Sequence, residues 1–430
     1  MCDLATLRTR YGVGPLISAA ALPFLFLHSH YQPSLHVGSL NADLSDVAAG
    51  AIVVTALASF DRRPLARSLP VWEGWGALAL LVVLSTAWGA LRFGGYPAGT
   101  HAVTAAKWLE YMLLAPALAI VVRRSRELEP AAVVLVLWSA AATVVGLLQF
   151  VGVLGDLDDT PAGRRKPSFL GYHDFAALSG TALLIAFLVL ARGPRSRTEQ
   201  RVALLAGVAG GLGVILGGPL DTLLGLYLAS LVLVLLLRRH VAVIVSILAV
   251  VTVGVLMIRS SAVADGLKFL GVKQGSGGAS THIQSYRQRA LLAYVGGRIF
   301  LDHPLLGVGF EGSSDPFAFE PYVADAKKHF DQPAEAFPSR QHRWGVQNAY
   351  VQSLADMGIL GLPAFLAALL VPAFLAVRRG VGDARVLGAA LPLLVLGVWN
   401  GYGLVAGIPV AALTWLGVGV AAVSVAEARA

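Results

Sequence analysis

Apolar residues fall in runs of roughly fifteen to thirty positions, separated by short breaks rich in arginine, glycine and proline. A helix rises 1.5 Å per residue, so runs of about twenty residues match the roughly 30 Å hydrocarbon core of a bilayer. The pattern predicts twelve helices: 13–28, 44–60, 75–92, 104–122, 130–153, 173–191, 202–216, 219–237, 241–258, 348–377, 386–402 and 406–425. The fold class expected is an all-α polytopic membrane protein of about twelve transmembrane helices, with one long extracytoplasmic loop between helices nine and ten. Three regions follow: an N-terminal membrane region (1–258), a loop region (259–347) and a C-terminal membrane region (348–430). Inside the loop, GSGGAS at 275–280 reads as a flexible connection. Residues 281–302 read as a helix with apolar Ile283, Tyr286, Ala290, Tyr294 and Ile299, ended by Pro304. The aromatic, acidic and proline-rich stretch 311–345 reads as ordered loop over a cavity, or as a mobile lid.

Composition narrows the class. With 56% hydrophobic and only 13% charged residues, the chain is no ordinary soluble enzyme. A single cysteine, Cys2, excludes a disulfide framework and a cysteine-based metal site. The first apolar run lacks a small-residue cleavage site, so the N-terminus is expected to be retained. The net charge of +8 is what cytoplasmic loops contribute, and no nucleic-acid partner is inferred from it. Placing both termini inside puts eighteen basic residues in inner segments, among them Arg8, Arg10, Arg62, Arg123, Arg192, Arg238 and Arg378. The segment 259–347 then lies outside, and functional chemistry is expected on that face.

Arg164, Arg165 and Lys166 stand on the outer side against the charge rule. A phosphate or pyrophosphate would favour them, because guanidinium forks match phosphate oxygens. Asp156, Asp158 and Asp159 offer the alternative of a balanced, solvated loop. Arg287, Arg289 and Arg298 share the helix of the long loop. At 100° per residue Arg287 and Arg298 fall within about 20° of each other and Arg289 points elsewhere, so all three reach one anion only if Gly296 and Gly297 break the helix. Asp221, after Gly218 and Pro219, is either an intramembrane functional acid or a first-turn residue favoured by the helix dipole. Lys107 and Glu110, spaced i,i+3, are expected to pair. His28, His30 and His36 have a spacing compatible with a metal, but no carboxylate cluster accompanies them, and no metal or cofactor is expected. His342, in SRQHRWG, is a candidate general base or a surface histidine.

Several segments together resemble one family. DHPLLGVGFEG (302–312) and QNAYVQSLADMGILGL (347–362) resemble the two halves of the signature of the O-antigen ligase and O-antigen polymerase superfamily. RRKPSFLGYHDFAALSG (164–180) resembles that family's segment entering the sixth helix. The resemblance implies a metal-independent, inverting glycosyltransferase of the bacterial inner membrane. Its expected partners are an undecaprenyl-pyrophosphate-linked glycan, an acceptor glycan or glycolipid, and membrane lipid. An acceptor hydroxyl would displace the lipid pyrophosphate while arginines stabilise the leaving charge. The implied motif positions are Pro304, Gly307, Gly309, Asn348, Gly358 and Gly361, and Arg289 matches a family arginine. Gln347 stands where the family carries histidine, and an amide is no general base, though it can orient a hydroxyl or a water. Near the start of helix eight, where the family often has arginine, stand Leu220 and Asp221. The base would then be His342, or a carboxylate such as Asp221 or Glu311, or the chain is a non-catalytic protein that binds or moves a lipid-linked glycan. Transporters usually carry polar residues and repeats at the midplane, which this sequence lacks, and this favours the enzyme. A structural membrane subunit is the third option.

Overall fold

The computed structural model describes residues 4–37, 40–155, 164–238, 240–260, 285–405 and 407–430. Four elements and a hairpin open the chain: α1 (Leu4–Tyr11), α2 (Val13–Leu25), the strands β1 (Ser34–Val37) and β2 (Leu40–Asp43), α3 (Leu44–Ala58) and α4 (Arg62–Arg67). The strands pair antiparallel with Ser34 opposite Asp43, a feature the apolar pattern did not announce. Eight membrane-region helices follow: α5 (Val71–Arg92), α6 (Ala98–Met112), α7 (Leu114–Val121), α8 (Glu129–Phe150), α9 (Tyr172–Arg192), α10 (Arg197–Gly217), α11 (Leu220–Leu237) and α12 (Val241–Ile258). The rest comprises α13 (Ser285–Asp302), α14 (Pro316–His329), α15 (Ala349–Met357), α16 (Gly361–Arg379), α17 (Gly382–Trp399) and α18 (Ile408–Glu427).

Ten helical segments among the described residues are long and apolar enough to cross a membrane, α6–α7 and α15–α16 each acting as one segment. Each of the remaining two expected spans is represented by a shorter apolar helix, α2 or α3. Both shorten for local reasons. Helix α2 gives way to a turn at Ser29–Tyr31, and α3, which starts at Leu44 behind the Asp43–Asp46 capping box, ends at Ala58 just before Asp61 caps α4.

Helices α9 and α18 are buried along most of their length and form the centre of the bundle, whereas α8 and α12 bury few of their residues and turn apolar faces outward. Small residues let the central helices touch. A Cβ on Gly225 would lie 2.0 Å from the Leu394 carbonyl oxygen, and one on Gly397 would lie 2.2 Å from the Gly225 nitrogen. That contact of α11 with α17 sets Asp221, one turn earlier, beside Gly401. The arginine-bearing breaks between helices also meet in space: Arg10 pairs with Glu129 at 3.1 Å, Arg192 with Asp383 at 3.1 Å, and Arg429 donates to the Arg67 carbonyl at 2.8 Å.

Four local expectations are corrected. Residues 316–329 are helix, because Pro316 occupies an N-terminal position where its missing N–H costs nothing. Helix α13 runs unbroken through Gly296 and Gly297, and Gly296 serves instead as the contact for Val346 and Val351. Lys107 pairs with Asp46 at 2.8 Å and Asp43 at 3.8 Å across to α3, not with Glu110. The chain includes the β1–β2 hairpin. The 275–280 connection and Asp156, Asp158 and Asp159 lie outside the described residues.

The two signature-like segments dock backbone to backbone. Val308 and Gly309 donate to the carbonyls of Ala355 and Asp356 at 3.0 Å, and Ile359 donates to Pro304 at 2.7 Å. Gly307 faces the Asp356 backbone, Gly309 packs on Tyr96, and Gly361 sits under the Ser353 carbonyl. Gly358 breaks the span between α15 and α16 at φ 70°, ψ −161°, a conformation essentially restricted to glycine. Its Cβ would lie 2.2 Å from the Leu305 oxygen. Gly358→Ala should therefore cost about 2–4 kcal/mol, read as a lowered unfolding midpoint in detergent, combining backbone strain with overlap. Gly297→Ala, which meets open space in a helix, should raise that midpoint slightly. Equal midpoints for the two variants would contradict the docking.

Candidate functional site

At the end of the bundle that carries α13, four distant pieces of chain converge. Gly171 lets the chain turn at φ 91° into α9, whose first turn presents His173 and Asp174. His173 Nδ1 lies 2.9 Å from Asp221 Oδ2 at the start of α11, and its Nε2 lies 3.0 Å from Arg289 Nη2 on α13. Arg289 Nη1 stands 4.0 Å from the same Asp221 oxygen. The other Asp221 oxygen accepts the Thr222 N–H at 2.7 Å. The turn between α17 and α18 closes the fourth side. The Tyr402 ring lies 5.0 Å from the imidazole, and its hydroxyl donates to Asp174 at 2.9 Å. Burial and the neighbouring Asp174 push the Tyr402 phenol well above its ordinary range, so it stays a donor. A Cβ on Gly401 would fall 1.7 Å from Asp221 Oδ2, so the backbone itself walls the carboxylate.

Two further guanidinium groups join. Arg165 Nε donates to the Gly217 carbonyl at 2.8 Å, and its guanidinium lies 4.4 Å from the centre of the Tyr172 ring. Arg259 follows α12, and both side chains pass Gly218, their stems within 4 Å of a Cβ placed there. Burial, with Arg259 next in importance, pulls Arg165 down to about 10, and burial with Arg289 pulls Arg259 down. The cations thus act on one another. Arg165 Nη2, Arg259 Nε and Arg289 Nε are buried and make no hydrogen bond among the described residues. Buried donors without acceptors are costly, and guanidiniums that repel one another call for an anion.

The structure thus brings Asp221, Arg289 and Arg165 together. Lys166 is half-buried and follows Arg165, its N–H donating to the Leu216 carbonyl at 2.9 Å. Arg164 is exposed. Arg287 is engaged by the Tyr286 hydroxyl at 3.1 Å. Arg298 acts electrostatically on Tyr322 and Asp325. Asn348 caps α15, accepting from the Tyr350 and Val351 N–H groups, and donates to Asn400 Oδ1 at 2.9 Å. Asn400 adjoins Gly401, so Asn348 borders the site; Gln347, which precedes it, is half-buried. His342 is exposed and stacked on Trp344, with ring centres 6.0 Å apart. Among the described residues it makes no hydrogen bond, ion pair or ring contact with His173, Asp221 or Arg289. Its loop is instead tied elsewhere, through Arg340–Glu320 at 2.7 Å and Arg343–Asp315 at 3.7 Å, beside a cavity of about 330 Å³.

A second polar centre stands behind the docked segments. Asp356 accepts the N–H groups of Glu311 and Ser313, both at 3.0 Å, and Gln352 donates both to Asp356 at 3.0 Å and to Glu311 at 2.9 Å. Gln352 in turn accepts from Leu404, two residues beyond Tyr402. Glu311 adopts φ 65°, a strained value for a residue with a side chain. Among the described residues no three His, Cys, Asp or Glu side chains group as metal ligands, and His28 Nδ1 accepts from the His30 N–H.

Sequence reading overlooked His173, Arg259 and Tyr402. The His-Asp pair opening an apolar helix was a signal for the first. No protein-family model and no curated protein matches the sequence. The chemistry must therefore be argued from the site, which presents an imidazole oriented by a carboxylate among three guanidinium groups.

Proposed function

We propose that this chain is a membrane glycosyltransferase that moves a glycan from a polyprenyl diphosphate carrier, undecaprenyl pyrophosphate by the resemblance, to an acceptor hydroxyl. The observation that carries the reading is the set of buried, acceptor-free donors on Arg165, Arg259 and Arg289. A diphosphate supplies several charged acceptor oxygens in the span of a few ångströms, and fixed guanidiniums stabilise the charge that develops as it leaves. The site lies where helices long and apolar enough for a membrane end, and there a lipid carrier presents its head group. The signature-like segments at 302–312 and 347–362, packed against one another, support the same family reading. A non-catalytic lipid-glycan binder is favoured by one feature, Gln347 in place of the family's histidine.

In the proposed topology α2 and α3 complete twelve membrane segments, both termini are cytoplasmic, and the site faces outward from a bacterial inner membrane. A reporter that works only outside the cytoplasm should be active when fused after residue 315 and silent after residue 382. The opposite pattern would turn the site to the wrong compartment and end the proposal. Deleting the gene should accumulate lipid-linked glycan and deplete its surface product. Unchanged levels of both would refute the transfer reading.

A further inference from the structure

We infer that His173, oriented by Asp221, is the base that deprotonates the acceptor hydroxyl, and that Arg289 masks it until the diphosphate arrives. This inference rests on the transferase reading. It answers the difficulty raised by Gln347, because the missing imidazole is supplied from the start of α9. Asp221 Oδ2 lies 2.9 Å from Nδ1 without hydrogen-bond geometry, and its negative charge favours the proton on that nitrogen, which leaves the Nε2 lone pair available. A carboxylate–imidazole pair of this kind also stabilises the imidazolium once it forms. The His173 side chain is 13% exposed, so it is sheltered yet reachable.

In the structure the Nε2 lone pair faces Arg289 Nη2 at 3.0 Å, and an imidazole held this way cannot accept a proton from substrate. Arg289 is also the more exposed partner, its side chain 31% accessible, with Nε buried and unpaired. Diphosphate oxygens offer that guanidinium a stronger, charge-assisted partner than a neutral imidazole. Arg289 then turns to the diphosphate and frees Nε2. The acceptor O–H gives its proton to Nε2 as its oxygen bonds to the anomeric carbon. The bond from that carbon to the phosphate oxygen breaks, and its electron pair leaves on the diphosphate, held by Arg165, Arg259 and Arg289. The imidazolium afterwards returns its proton to water. Donor binding thus unmasks the base, which suppresses proton transfer in the empty site.

The charged and titratable groups facing His173 are Asp221 from α11, Arg289 from α13, Arg165 from the segment before α9 and Tyr402 from the turn before α18. The experiment uses the full-length protein in nanodiscs, with a synthetic polyprenyl diphosphate for binding and a polyprenyl-diphosphate-linked glycan plus acceptor for turnover. His173→Gln should lower turnover by at least about 100-fold, the low end for a general base, while diphosphate binding stays within about threefold of the parent. The parent's rate should rise with pH through one ionisation that His173→Gln lacks. Asp221→Asn should lower turnover while retaining binding. Turnover of His173→Gln close to the parent's, with the same pH profile, would overturn the inference and leave the transferase reading standing. Loss of binding together with turnover in His173→Gln would reassign the residue to positioning. Failure of the parent to bind the diphosphate would sink the transferase reading itself.

Discussion

Arg289→Ala should lower turnover of a polyprenyl-diphosphate-linked glycan by roughly 100- to 1000-fold, the usual loss when one fixed donor is removed from developing negative charge. Arg289 reaches His173 at 3.0 Å and Asp221 at 4.0 Å, so its removal takes away the cation nearest both and leaves those two paired with each other. The fold should survive, since the side chain is partly exposed and an unpaired buried Nε is removed with it. Arg289→Lys should recover only part of the loss, because an ammonium brings charge without the planar fork. Two comparisons localise the effect. Arg165→Ala should also lower turnover, since Arg165 is strapped to Gly217 beside Arg259, whereas Arg164→Ala and Arg298→Ala should remain within a few-fold of the parent. Steady-state release of polyprenyl diphosphate by purified protein is the measurement. Parental turnover in both Arg289→Ala and Arg165→Ala would place leaving-group stabilisation elsewhere.

The sequence made visible those features that depend on neighbouring residues. Apolar runs correspond to the helices, Pro304 follows the end of α13, and Asn348 caps α15 as its position before an apolar run suggests. Features set by the third dimension were hidden. His173, Asp221, Arg289 and Tyr402 are separated by 48 or more positions along the chain, and contacts such as Gly225–Gly397 and Gly401–Asp221, invisible in the sequence, help to bring them together. Arg259 looked like the first residue of a loop because nothing local says that it passes Gly218 with Arg165. Helix α14 was hidden by Pro316 and Pro321, which read as breakers, although Pro316 stands at the helix start, where proline is tolerated, and the helix continues through Pro321. Lys107 misled for a similar reason. An i,i+3 partner was in view, while the partners Asp43 and Asp46 lay at the junction of β2 with α3.

Raising the pH from about 6 to about 8 should destabilise the parent protein more than a Glu311→Gln variant. Burial first, and the Asp356 carboxylate second, push the Glu311 carboxyl up to about 8. The hydrogen bonds explain which of the two acids takes the proton. Asp356 accepts two backbone N–H groups and the Gln352 amide, whereas the Glu311 carboxylate is met by side chains, the Gln352 amide and the Ser314 hydroxyl. The unfolded chain releases the glutamate proton near 4.3, so between roughly pH 4.3 and 8 the folded state holds more protons than the unfolded one. Stability then falls as pH rises through that window and levels off above the folded-state value. Each unit costs at most about 1.4 kcal/mol and the slope halves near the folded-state value, which makes the loss from pH 6 to 8 about 2 kcal/mol. Glutamine keeps an oxygen for Gln352 and never ionises, so Glu311→Gln should lack this slope and be the more stable protein at pH 8. Thermal midpoints of the two proteins in the same detergent, measured at several pH values, read the difference directly and cancel the titrating groups that do not interact with Glu311. Parallel curves would mean that Glu311 is already ionised in the folded protein, and that the docked segments 302–312 and 347–362 carry its charge without strain.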